Sequence, residues 1–397
     1  MSGVGVGDDG AAAKVVEAVR DLVPRIRERA AEAEAAGRVP DETVRQLADA
    51  GLFRLLQPTR FGGLAASPVH FYSAIKTIAA ACGSTGWISS VIGVHNWQLA
   101  LFPDRAQQEV WGADPDTRVS SSYAPTGTVE AVEGGFRMSG RWSFSSGCEH
   151  AEWAFLGGMT VAADGTVDAR TYLVPRTDYR IEHNWDTQGL RATGSHDIVI
   201  DEPVFVPEHR TLAYARTVAL DCPGQEVNPE PVYRLPFGGL FPTTITVPLL
   251  GVAEGAWQTY VDVTRERFRV SYGQKVVDDP FAHVRIARAA SEVDAAWLQI
   301  RRNVAELYAH AVRGEELPAE LRLRVRRDQV LGTGRAVAAT DLLMENAGGN
   351  AMRHAHVLQR YWRDVHTGRG HVANDPERAL TLFGRGALGL DAQDTMI

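Results

Sequence analysis

GTVEAVEGGFRMSGRWSFSSG, residues 127–147, decides the architecture. Short β-type runs flank Glu133-Gly134-Gly135, where glycine supplies the positive φ that a hairpin turn needs. The same texture extends outward through TRVSSSYAP (117–125), WAFLGGMTV (153–161), ARTYLVP (169–175) and SHDIVIDEPVFVP (195–207), with a second turn expected at ADG, 163–165. This antiparallel β segment ends near residue 208. Before it, Val15, Val19, Leu22, Val23 and Ile26 recur at helical spacing within residues 11–37. Pro40 helps to start a second helix over 41–56, RFGG interrupts, Ser67 and Pro68 open a third as N-cap and N1, and 84–112 continues helical. After it, residues 218–242 are rich in Pro and Gly and read as a linker, and helices resume near Thr243. Val293, Trp297, Ile300, Val304 and Leu307 then form a packing stripe of a helix bundle. The expectation is an α+β chain in three parts: an N-terminal helical domain (1–116), a middle β domain (117–217) and a C-terminal helical bundle with a leading linker (218–397).

The chain has 397 residues, enough for two or three domains or one large multilayer unit. Its 45% hydrophobic and 23% charged content excludes collagen-like and wholly disordered chains. A net charge of -8 argues against a nucleic-acid-coating protein, because phosphate neutralisation needs a basic surface. Three widely spaced cysteines, without a C-x-x-C pair, indicate neither a disulfide framework nor a thiolate zinc site. No leader pattern and no apolar run of about 18 residues is evident, so a cytoplasmic protein with no membrane partner is expected.

Several motifs carry little alone. GVGDDG at 5–10 fits G-x-G-x-x-G, but no strand precedes it and its aspartates would face phosphates. His354, His356, His366 and His371 with Asp364 and Asp375 suggest a metal cluster, yet His366 and His371 are about 140° apart on a helix, and no metal is expected. Asp375 also reads as the N-cap before Pro376. WSFSSG reads equally as a β-edge turn, and His95 as a hydrogen-bonded helix histidine.

Taken together, RWSFSSG after the hairpin, RFRVSYGQKVVDDP (267–280), ENAGGN (345–350) and RYWRDVHTGRGH (360–371) resemble the acyl-CoA dehydrogenase fold over nearly the whole chain. That fold implies a middle antiparallel β-barrel domain and a C-terminal four-helix bundle. LFRLLQPTRFGG, CGSTGW, GVHNWQLALF, SSSYAP, SSGCEHA, DDPFAHVRIA, RRDQV and WRDVHTGRGHVANDPERA are further similar to the oxygenase components of two-component flavin-dependent phenol hydroxylases, especially those acting on a phenolic secosteroid of bacterial steroid breakdown. In many true dehydrogenases a glutamate follows the RD pair as the α-proton base, and the corresponding position here is Val372. An FAD-dependent acyl-CoA dehydrogenase is therefore the alternative, and a tailoring hydroxylase or N-oxygenase on the same fold is another.

The resemblance implies reduced FMN or FADH2 supplied by a separate NAD(P)H-dependent flavin reductase, dioxygen, a C4a-hydroperoxyflavin, ortho-hydroxylation of a phenolic polycyclic substrate, and a homotetramer. It implies that Trp87, Phe144, Ser145 and Ser146 line the flavin ring, with a serine hydroxyl near N5, and that His371 and Val372 lie beside it. Arg267 or Arg269 would meet flavin oxygens or phosphate, and Gly349 and Asn350 would meet a neighbouring subunit's cofactor. Catalytic roles fall to Ser146, to His95 or His371 as phenol base, and to a histidine held by Asp375 as proton donor.

Overall fold

The computed structural model describes residues 9–161, 165–269 and 273–392. The N-terminal block comprises α1 (Asp9–Ala36), α2 (Asp41–Asp49), α3 (Pro68–Ala81), α4 (Gly83–Leu99) and α5 (Asp104–Trp111). Of GVGDDG, residues 5–8 lie outside the described residues, and Asp9 and Gly10 belong to α1. The helical stripe read in α1 faces inward through Val19 and Ile26, with Ala30 and Ala33 continuing it. Every residue of α4 is buried, so this helix is core on all sides. Its glycines permit that approach: a Cβ on Gly86 would come within 2.4 Å of the Ala79 Cβ in α3.

The middle block is two four-stranded sheets. β1 (Val119–Ser122), β4 (Trp153–Val161), β5 (Val167–Pro175) and β8 (Thr211–Ala213) form one in that order. β2 (Thr128–Val132), β3 (Gly135–Ser145), β7 (His196–Pro207) and β6 (Arg180–Glu182) form the other. Pairing is antiparallel except between β1 and β4, which run parallel where an antiparallel neighbour was expected. The hairpin at Glu133-Gly134 is present, with Val132 opposite Gly135 and φ of 78° at Gly134. The second expected turn falls largely on 163 and 164, outside the described residues, between the paired Val161 and Val167. Phe136, Met138, Trp142, Leu156, Tyr172 and Ile198 are among the apolar core of this block.

The C-terminal helices are α7 (Phe237–Glu266), α8 (Pro280–Arg313), α9 (Ala319–Glu345) and α10 (Val357–Arg369), followed by α11 (Pro376–Ala387) against α9. A short α6 (Tyr214–Ala219) precedes them. The stripe on α8 buries Val293, Ile300, Val304 and Leu307, with Trp297 partly buried. Helix α7 starts at Phe237 rather than near Thr243 and keeps Pro242 and Pro248 inside it. Pro248 has no N–H for the carbonyl four residues earlier. That carbonyl, Thr244 O, instead accepts the Ser90 hydroxyl of α4 at 2.8 Å, while Leu240 O accepts the Tyr72 hydroxyl of α3 at 2.8 Å. Helix α7 is also long and apolar enough to span a bilayer by length and composition, contrary to the sequence expectation, but 94% of its apolar window is buried inside the structure, as befits a core helix.

Candidate active site

WSFSSG folds as the sequence suggested up to Trp142 and then departs from a regular strand. The register between β3 and β7 shifts between Trp142 and Ser145, and Phe144 takes φ of 70°. An L-residue in that region is strained, and such bulges re-aim side chains next to functional sites. Here Phe144 is thrown outward, 71% exposed, edge-on to Trp185 at 6.2 Å, while Ser145 and Ser146 turn inward and are buried. Gly147 follows with φ of 71°, close enough to Ile92 of α4 that a Cβ would sit 3.1 Å from its methyl.

Ser146 is the centre of a polar string. Its Oγ accepts the Trp87 indole N–H at 3.1 Å and lies 2.8 Å from Ser195 Oγ. Ser195 Oγ is 2.7 Å from Thr193 Oγ1, which donates to Leu190 O at 2.8 Å. Ser145 Oγ donates to Ser120 Oγ of β1 at 3.2 Å. The Trp87 ring meets the His371 ring edge-on at 6.1 Å, and His371 also lies 6.3 Å from Phe241. Phe241 packs on Tyr123 at 5.0 Å, and Tyr123 lies 6.2 Å from His95. One continuous aromatic enclosure, built from α4, the residue after β1, the start of α7 and the turn after α10, thus joins His95, Tyr123, Phe241, His371 and Trp87. The Tyr123 hydroxyl is tied to Gln98 Oε1, and burial pushes its pKa up.

The two histidines have opposite tautomers, read from their partners. His95 is fully buried; its Nδ1 donates to Val119 O at 2.6 Å, which leaves Nε2 a lone pair, and that atom has no hydrogen-bond partner. His371 caps the 3-10 turn Val372–Asn374, its Nδ1 accepting Ala373 N–H at 3.1 Å, so its Nε2 carries the proton. Burial pushes both pKa values down to about 4, so both rings are neutral at pH 7.

The other expected site residues form a second group. Arg267 donates to Asn346 O at 2.7 Å and braces the turn at Gly348, where a Cβ would come within 2.2 Å of its Nη2 and φ is 76°. Burial and Arg269 push the Arg267 pKa down. Arg269 is paired with Asp279 at 2.7 Å and with the Asn346 side chain. Gly349 and Asn350 follow on that turn, exposed. Asp375 does not hold a histidine through any bond among the described residues; its carboxylate accepts Glu377 N–H at 3.1 Å and caps α11, the local role its Asn-Asp-Pro context favours. Val372 is 83% exposed and brings no acid or base beside His371. His366 pairs with Asp341 at 2.8 Å and His356 caps α10, while His371 lies past the end of α10 and not on one helix with His366 as the sequence reading had it.

Sequence reading missed Ser195, Thr193 and Phe241, and met Asp364 only within a metal-ligand pattern; in the structure Asp364 is buried and its carboxylate accepts Leu190 N–H at 2.6 Å. Small hydroxyls in a loop carry no pattern that separates them from ordinary turn residues. It also passed over Glu149, His183 and His196, whose ligand atoms lie within 4.8 Å of one another. His196 Nδ1 accepts Asn184 and Trp185 N–H groups, so its Nε2 bears the proton and has no lone pair to give a metal.

The buried Ser146 hydroxyl, the indole packed beside it and the outward Phe144 suit a flat heteroaromatic cofactor. Residues 11–114 match the family model described as acyl-CoA dehydrogenase, N-terminal domain, and residues 243–376 that of the C-terminal domain. The chain belongs to this fold family and, within it, to the oxygenase subunits of flavin-dependent monooxygenases, which use reduced flavin. It is 52% identical to the flavin-dependent monooxygenase oxygenase subunit HsaA of Rhodococcus jostii (strain RHA1), over 95% of this chain and 98% of that protein. The crystal structure of 3-HSA hydroxylase from Rhodococcus sp. RHA1 superposes with a TM-score of 0.92 at 51% identity, covering 97% of this chain and 99% of that one. XiaF from Streptomyces sp., in complex with FADH2 and glycerol, matches with a TM-score of 0.88 at 29% identity over 96% and 97% of the two chains. These similarities support the monooxygenase reading and not the dehydrogenase alternative.

Proposed function

We propose that the chain ortho-hydroxylates a polycyclic, secosteroid-like phenol of the 3-HSA type, taking reduced FMN or FADH2 by diffusion from a separate NAD(P)H-dependent reductase and working as a homotetramer. When bound, reduced flavin supplies the electrons and the carbon at which dioxygen is activated. Every other task falls to the protein. Ser146 holds the ring edge through the lone pair it keeps beyond the Trp87 N–H, and Trp87 packs beside the ring. His95 Nε2 accepts the phenol O–H and draws electron density onto the ring, which raises the reactivity of the ortho carbon. His371 Nε2–H, at the opposite end of the enclosure, donates toward the oxygen that departs. Tyr123, Phe241 and Trp87 exclude water between them. The observation that carries this reading is the pair of opposed tautomers, one lone pair on His95 and one N–H on His371, on rings joined through Tyr123 and Phe241.

Oxygen uptake with enzymically reduced FMN or FAD, with and without a panel of mono- and polycyclic phenols, tests it. The expected outcome is catechol formation that needs the reductase and favours polycyclic phenols. Activity with NADH alone, or flavin that survives dialysis and is bleached by an acyl thioester, would sink it.

A further inference from the structure

We infer that Ser195 and Thr193 are positioning residues that fix the direction of the Ser146 hydrogen bond, making Ser146 an acceptor toward the cofactor and so selecting reduced over oxidised flavin. The inference rests on the reading that Ser146 faces flavin N5.

The direction follows from the one group in the string that cannot donate. Leu190 O is a carbonyl, so the Thr193 hydroxyl 2.8 Å away must donate to it. Having spent its proton there, Thr193 Oγ1 must accept across the 2.7 Å contact, and the donor is Ser195. Ser195 is then an acceptor across its 2.8 Å contact with Ser146, and Ser146 is the donor. The Ser146 proton therefore points away from the enclosure. Its oxygen accepts the Trp87 N–H at 3.1 Å and keeps one lone pair for a further donor.

The string is anchored so that it does not reverse. Leu190 sits in the left-handed region, φ of 51°, which a leucine adopts only when its surroundings hold it there. Its N–H is held by Asp364, and its carbonyl also accepts the Trp185 indole at 2.9 Å. The Ser195 and Thr193 side chains are buried, so water does not compete for their protons.

The chemical consequence concerns N5. Reduced flavin carries a hydrogen there and donates; oxidised flavin carries a lone pair there and accepts. An acceptor-only Ser146 forms a hydrogen bond with the first and faces the second lone pair to lone pair, which costs the full desolvation of both atoms. An oxygenase that must capture reduced flavin in the presence of its oxidised product gains selectivity from this arrangement.

Anaerobic titration of the full chain with reduced and oxidised FMN, and likewise FAD, gives the ratio of the two dissociation constants. In Ser195→Ala the Ser146 hydroxyl loses its acceptor and turns toward N5, so the ratio of oxidised to reduced Kd should fall about tenfold or more. Thr193→Val, which removes the acceptor one step further back at nearly constant shape, should fall in the same direction, and Thr193→Ser should restore the wild-type ratio. A loss of affinity for both forms alike, with the ratio unchanged in Ser195→Ala and Thr193→Val, would overturn the inference. Failure of the wild type to bind either reduced flavin would overturn the flavin reading beneath it.

Discussion

Ser146, Asp364 and the two histidines set what single side chains decide. Replacing Ser146 by Ala removes one buried hydrogen bond to the cofactor edge, worth about 1 to 2 kcal/mol, so hydrogen peroxide released per hydroxylated product should rise roughly five- to thirtyfold while flavin oxidation continues. Peroxide and product assays on the same reaction check this; unchanged coupling would place the oxygen-activating chemistry elsewhere. Asp364 holds the Leu190 N–H, and burial pushes its pKa up to about 7. A carboxyl whose folded pKa is raised favours folding below its ordinary value near 4 and loses that contribution as pH rises through about 7. Asp364→Asn, which keeps an oxygen for Leu190 N–H, should therefore gain on the wild type in urea midpoint from about pH 5 to 7, with the difference levelling above about pH 8. The histidines act in the opposite sense. With folded pKa values near 4, His95 and His371 cost nothing above about pH 6.5 and destabilise progressively as pH falls from there toward 4.

Between α4 and α7 the decisive contact is a hydroxyl that repairs a proline. Pro248 leaves Thr244 O without its helical partner, and Ser90 takes that place across the helix interface. Ser90→Ala should leave a buried carbonyl unpaired and cost about 1 to 3 kcal/mol of unfolding free energy, measurable by chemical denaturation. Because α7 carries Phe241 and α4 carries Trp87 and His95 into the same enclosure, this variant should also raise KM for the phenol more than it lowers kcat. An unaltered denaturation midpoint would show that water or a shifted α7 replaces the contact. The strand element behaves analogously: the bulge in β3 trades regular pairing for the outward Phe144 and inward serines, so a local defect in the ladder is what places the site.

Across the whole molecule, α8 leaves Phe281, Val284 and Leu298 exposed. The proposed homotetramer would cover these side chains, and light scattering at micromolar concentration should return four chains. Phe281→Asp with Leu298→Asp should lower that mass and the thermal midpoint together. A fully active wild-type monomer would rule the assembly out.

The order of helical, β and helical blocks was legible in the sequence because period 3.6, period 2 and glycine turns are local properties: the stripe from Val293 to Leu307, the hairpin at Gly134 and the cap Asp375 all follow from neighbours in the chain. The start of α7 was hidden, since Pro242 and Pro248 signal a break, and the Ser90 hydroxyl of α4 that takes up the carbonyl freed by Pro248 comes from a distant part of the chain. Trp87, Ser146, His95 and His371 were visible as residue types in recognisable phrases. Which histidine offers a lone pair and which a proton was not, because a tautomer is set by whatever meets the other ring nitrogen: Val119 O, from a strand beyond α4, for His95, and Ala373 N–H for His371. The direction of the hydroxyl string lay further still from the sequence. It depends on a carbonyl held in place by a carboxylate 174 residues away, and hydrogen-bond polarity of that kind exists only once the chain has folded.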